Sequence, residues 1–78
     1  MTKKQIENIN HEMWLAMDAV ETWSKRAKDT EIEERRKDYA LFSTQALNRA
    51  VGISNIMSIL GYKWKAAGIG QYGEFIKE

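Results

Sequence analysis

The sequence predicts an all-α fold: an antiparallel helical hairpin with a long second helix and a Gly-rich C-terminal tail, assembling with further copies of itself. Three observations carry that expectation. Apolar residues recur at alternating steps of three and four from Ile6 to Ala27, the spacing of a helix with one buried stripe. The stretch from Tyr39 to Tyr62 has Arg49 as its only charge in 24 residues and holds no proline, as a helix covered on more than one side would. Between the two lies a very short polar connection, and short connections make antiparallel neighbours.

The first helix is expected over about residues 3–28. Thr2-Lys3-Lys4-Gln5 has the form of a capping box, in which the Thr hydroxyl takes a first-turn amide and Gln5 reaches back. Its seam is Ile6, Ile9, Met13, Ala16, Val20, Trp23 and Ala27, with Glu21 and Lys25 in the favourable i,i+4 order. Asp29 and Thr30 form the expected turn. Thr30-Glu31-Ile32-Glu33 reads as a second capping box, and Glu31, Glu33 and Glu34 suit the positive end of the helix dipole.

The second helix is expected over about residues 31–67, with a seam of Tyr39, Ser43, Ala46, Ala50, Ile53, Met57 and Leu60. A turn at Asp29 and Thr30 sets Val20 against Tyr39, Ala16 against Ser43, Met13 against Ala46 and Ile9 against Ala50. Gly61 either ends this helix, with Tyr62 folding back, or kinks it. The seam spacing runs on through Trp64 and Ala67, so continuation to a cap at Gly68 is the expectation. Residues beyond Ile56 then overhang the first helix. Covering them needs Ile69, Tyr72, Phe75 and Ile76 of the tail (68–78), or another subunit. Trp14, Met17, Phe42, Leu47, Val51 and Ile56 lie off the seam, more than one hairpin can bury, which points to a homo-oligomeric bundle.

Composition narrows the function classes. The 78 residues make a single domain, small enough to need help in burying a core. There is no cysteine and one histidine, so neither a disulfide framework nor a one-chain histidine metal site is available. Self-association is the remaining remedy. The net charge of +1 and pI near 8.0 give no general pull to nucleic acid or membrane. Ser43, Thr44, Gln45, Asn48, Arg49, Ser54, Asn55 and Ser58 make the uncharged stretch too polar to span a bilayer. Lys3 and Lys4 are followed by polar residues, not a signal-peptide apolar core, so a cytoplasmic protein is expected.

No catalytic set is legible, and no cofactor or metal is expected. His11 falls opposite the seam, and Asn8 stands where a Glu-x-x-His pair needs its carboxylate. Glu33 and Glu34 lie at the tip with no pocket around them, and no Ser or Thr has a histidine placed to activate it. The run Lys25–Asp38 mixes both charge signs, as a solvated hairpin tip does. Gly68-Ile69-Gly70-Gln71-Tyr72-Gly73 matches G-x-G-x-x-G by letter, but a helix is expected before it where the dinucleotide fingerprint has a strand, and no helix is expected after it.

Two features admit both a structural and a binding reading. Arg49 either pairs with Glu12, Glu7 or Asn10 across the hairpin, the simpler reading, or anchors an anion in a pocket between subunits. Tyr62-Lys63-Trp64-Lys65 interleaves cations with rings, as phosphate- and nucleotide-binding segments do. The simpler alternative packs Trp64 on the seam and leaves the lysines to complement the negative helix end.

The second helix, Tyr39-Ala40-Leu41-Phe42-Ser43-Thr44-Gln45-Ala46-Leu47 and then Arg49-Ala50-Val51, resembles that of the hairpin-domain phage sponges of the anti-CBASS and anti-Thoeris type. The resemblance covers the hairpin layout and this one Ala- and Leu-rich helix. It implies a non-enzymatic oligomer that sequesters a cyclic-nucleotide alarm signal of bacterial defence between protomers. On the residues themselves, Arg49, Lys63 and Lys65 are the candidates to hold phosphate, and Tyr62, Trp64 or Tyr72 to stack on a base. The alternatives are a protein-binding inhibitor or adaptor that docks the Trp14/Met17 or Phe42/Ile56 face, then a structural assembly subunit. DNA binding ranks last.

Overall fold

The computed structural model describes residues 1–67 and 73–78. Two 27-residue helices, α1 (Lys3–Asp29) and α2 (Glu33–Ile59), form the expected antiparallel hairpin. The first capping box is in place. The Thr2 hydroxyl accepts from the Gln5 amide at 3.1 Å, and Gln5 Oε1 accepts from the Thr2 amide at 2.8 Å.

The second capping box does not form. Thr30 Oγ1 accepts instead from the amide of Ile32, two residues on (3.3 Å), a local turn bond open to any Thr. Arg36 then closes the turn by donating to the Thr30 carbonyl at 3.0 Å. The link therefore runs over 30–32, and α2 starts at Glu33 with Ile32 at its N-cap and no side-chain cap. A longer link shifts the register by about one turn. Tyr39 stacks on Trp23, not Val20, with ring centroids 5.6 Å apart. Ser43 reaches the Val20 carbonyl (3.3 Å) and the Ser24 hydroxyl (2.7 Å) in place of Ala16.

The expectation of a helix to Ala67 is also corrected. Leu60 caps α2, its amide still bonded to the Ile56 carbonyl at 3.2 Å, and the Gly61 amide closes a tighter turn on Ser58 at 3.0 Å. Gly61 has φ +88°, where a side chain is strained and glycine is not. The chain then turns into an antiparallel β-hairpin, β1 (Tyr62–Lys65) and β2 (Glu74–Lys77), pairing Tyr62 with Lys77 and Trp64 with Phe75. Tyr-Lys-Trp-Lys alternates with period two, so Tyr62 and Trp64 turn inward while Lys63 and Lys65 face water. The all-α expectation from helical spacing is thus corrected: a two-stranded antiparallel sheet joins the helical hairpin. Of the tail expected over 68–78, residues 68–72 lie outside the described residues.

This β-hairpin covers the overhang. The Glu78 amide bonds to the Gly61 carbonyl at 2.9 Å, which fixes the ladder's phase and points the Phe75 amide away from β1. Asn10 of α1 takes that amide with its Oδ1 at 2.8 Å, in a buried position. One turn further along α1, Trp14 Nε1 donates to the Gly73 carbonyl at 2.6 Å. Met57, 1% exposed, sits under Tyr62 and Phe75 in a core completed by Met13, Ala16 and Ala50. Of the residues expected to cover the overhang, Phe75 is buried and Ile76 half-buried; Ile69 and Tyr72 lie outside the described residues. Among the described residues no helix is long and apolar enough to cross a membrane.

Candidate functional site

The off-seam apolar residues divide into two groups. Trp14 and Met17 are half-buried, Trp14 bonded to the β-hairpin and Met17 packed against the core. Phe42, Leu47, Val51 and Ile56 stay exposed, joined by Leu41, Ile59 and Leu60. Apolar residues therefore emerge on every side of α2, and one chain covers a single side.

The side of α2 bearing Phe42, Arg49 and Ile56 forms an open groove with α1. Towards the helix tip a hollow of about 330 Å³ is lined by Leu15, Ala19, Trp23, Phe42, Gln45 and Arg49, among others. Towards the β-hairpin a second, largely apolar hollow of about 310 Å³ is lined by Ile9, Glu12, Arg49, Ile53, Ile56 and Met57. Arg49 borders both. Its guanidinium pairs with the Glu12 carboxylate across the groove, one of the three partners the sequence suggests. Both side chains remain about half exposed, at 59% and 48%. Pairs of that kind contribute about 0–1 kcal/mol, so the bridge is easily rearranged. Above the groove, Tyr39 and Phe42 pack on Trp23, and Arg26 lies over the same indole at 4.9 Å.

The remaining candidate binding residues lie elsewhere. Tyr62 is in the core. Trp64 is half-buried and meets Phe75 edge-on, with centroids 4.8 Å apart. Lys63 and Lys65 share the outer side of β1. Lys65 borders a separate hollow of about 280 Å³ with Trp14, Ala66, Ala67, Gly73 and Glu74. Tyr72 lies outside the described residues, as do Gly68 and Gly70 of the glycine motif. The motif's last glycine, Gly73, is buried, and a Cβ there would come within 2.7 Å of the Lys65 carbonyl carbon. Arg49 and the β1 group thus line different hollows.

Comparison of the chain with protein-family models, with characterised proteins and with solved structures gives no match. The assignment therefore rests on the groove. Among the described residues no group of three or more His, Asp or Glu side chains is placed to hold a metal ion.

Glu12, Leu15 and Ile53 also line the groove, and the sequence does not mark them as binding candidates. The available signal is a second line on α2 (Phe42, Gln45, Arg49, Ile56) at helical spacing, which meets the seam at Ile53 and Leu60.

Proposed function

We propose that this protein is a non-enzymatic interaction module that docks the Phe42–Ile56 flank of α2 on another polypeptide. The observation that carries this reading is an exposed apolar stripe on a helix with one charge between Tyr39 and Tyr62. Ile56 is 61% exposed, and Phe42 and Leu60 accompany it. Interfaces are enriched in aromatic residues and Arg, and this flank carries both, with Phe42 and Ile56 on either side of Arg49. Large apolar side chains left exposed together on one helix flank mark a binding surface.

Sequestration of an anionic nucleotide between protomers, in the manner of a phage anti-defence sponge, is the second reading. It is supported by Arg49, whose guanidinium opens on the groove and is held by a surface carboxylate that a phosphate can displace. Native mass spectrometry on gently purified protein separates the two. The docking reading expects a complex whose added mass is polypeptide, lost in Ile56→Glu. An adduct of nucleotide mass, lost in Arg49→Ala and kept in Ile56→Glu, would transfer the assignment to sequestration.

A further inference from the structure

Resting on that docking reading, we infer that the polypeptide on the α2 flank is a second copy of this chain, related by a two-fold axis through the Arg49–Glu12 bridge. The groove is complementary to itself in charge, in side-chain order and in area.

Charge comes first. Glu12 and Arg49 stand side by side in the middle of the groove with opposite signs. A two-fold axis at this point brings each Arg49 to the partner's Glu12 as well as to its own, so four charges close into a neutral cluster. Isologous contacts require this reciprocity, in which residue i meets j and j meets i.

Order follows from the helix repeat. Phe42 and Ile56 lie seven residues to either side of Arg49 on the same flank, about 10.5 Å along the axis each way. Antiparallel crossing of the two α2 helices at Arg49 sets Phe42 on the partner's Ile56, and Ile56 on the partner's Phe42. Gln45 and Ile53, four residues to either side, face each other in the same way. The hollow beside Phe42 receives the ridge at Ile56, giving a four-helix bundle.

Area agrees. Leu15, Phe42, Ile56 and Leu60 are each about half exposed, leaving on the order of 100 Å² apiece to water. With the exposed parts of Gln45, Arg49, Glu12 and their neighbours, the face amounts to roughly 800 Å², one partner's share of a standard interface.

Sedimentation equilibrium on the purified full chain tests the arrangement, from micromolar to several hundred micromolar. The expected particle is twice the 9.1 kDa chain mass. Arg49→Glu and Glu12→Arg, each alone, place like charges together and weaken association by roughly tenfold or more. An equimolar mixture of the two variants restores the dimer. The carboxylate introduced in one chain then faces the guanidinium introduced in the other, and the native Glu12 and Arg49 that remain also meet between chains. Within each chain the pair stays like-charged, so a bridge made only intramolecularly gains nothing from mixing. Ile56→Glu also dissociates the dimer, while Leu47→Gln, on the far side of α2, leaves it intact. Circular dichroism confirms that each variant keeps its helices.

A wild-type monomer at every concentration, or variants that mixing does not restore, overturns the inference. So does a dimer broken by Leu47→Gln and indifferent to Ile56→Glu. A monomer that still carries another protein on the Ile56 flank in native mass spectrometry overturns the second copy and leaves the docking reading standing. If Ile56→Glu alters no association of any kind, both fall.

Discussion

Asn10 carries more of this fold than its residue type suggests. It is 7% exposed, beside the α1 seam, and spends its side-chain oxygen on the Phe75 amide. Asn10→Ala leaves that buried donor without an acceptor, a loss of about 1–3 kcal/mol. Urea unfolding is expected to show it as a lower midpoint at an unchanged slope. Gly73→Ala is expected to be at least as damaging, because the added methyl meets backbone atoms of Lys65 and Ala66 that cannot yield as a side chain can. Loss of the two-dimensional NMR cross-peaks between Trp64 and Phe75 would report the displaced strand. Neither role is legible from the sequence. A polar residue next to a heptad seam is ordinary, and the partner that explains Asn10 is 65 positions away.

At the scale of elements, the helices were legible where local chemistry decides, and misread where two local signals compete. Thr2 and Gln5 cap α1 as their spacing says. Thr30 has the same spacing to Glu33, yet its hydroxyl bonds two residues on and the cap is lost. The unfilled position gives a prediction. Ile32→Asp places a carboxylate at the N-cap of α2, at a half-exposed site where little burial is forfeited. The variant is expected to gain about 1 kcal/mol, read as a higher denaturant midpoint. At the other end of α2, Trp64 and Ala67 fit a continued seam, while Gly61 and the alternation from Tyr62 to Lys65 fit a turn and a strand. The strand prevails because its inward rings cover Met57, which a continued helix would have left to water.

For the molecule as a whole, an elongated body of 45 × 24 × 18 Å is fastened at both ends and open along its side. Rings of Trp23, Tyr39 and Phe42 close the tip, and the β-hairpin closes the base. Arg49 is recognisable as a candidate in the sequence because it is the only charge between Tyr39 and Tyr62. The groove it divides is not, since grooves depend on register and the register moved by a turn with the longer 30–32 link. Association through that groove would couple assembly to stability by mass action. The melting temperature is therefore expected to rise with protein concentration for the native sequence and to stay constant for Ile56→Glu, as differential scanning fluorimetry at a series of dilutions would show.

The bond from Asn10 to Phe75 also sets an order of events in time. Contacts within the α1–α2 hairpin join residues as near in sequence as Trp23 and Tyr39, or Ser24 and Ser43, and a short loop closes readily. The clasp between α1 and β2 must close a loop more than three times longer before it returns any stability. Folding is therefore expected to proceed from the helix tip towards the base, with the clasp the last contact to form and the first to open. Asn10→Ala is expected to speed unfolding while leaving the folding rate nearly unchanged, whereas Ala16→Gly, inside the helix pair, slows folding. Stopped-flow fluorescence can follow both steps, with Trp23 at the end that forms early and Trp64 at the end that forms late.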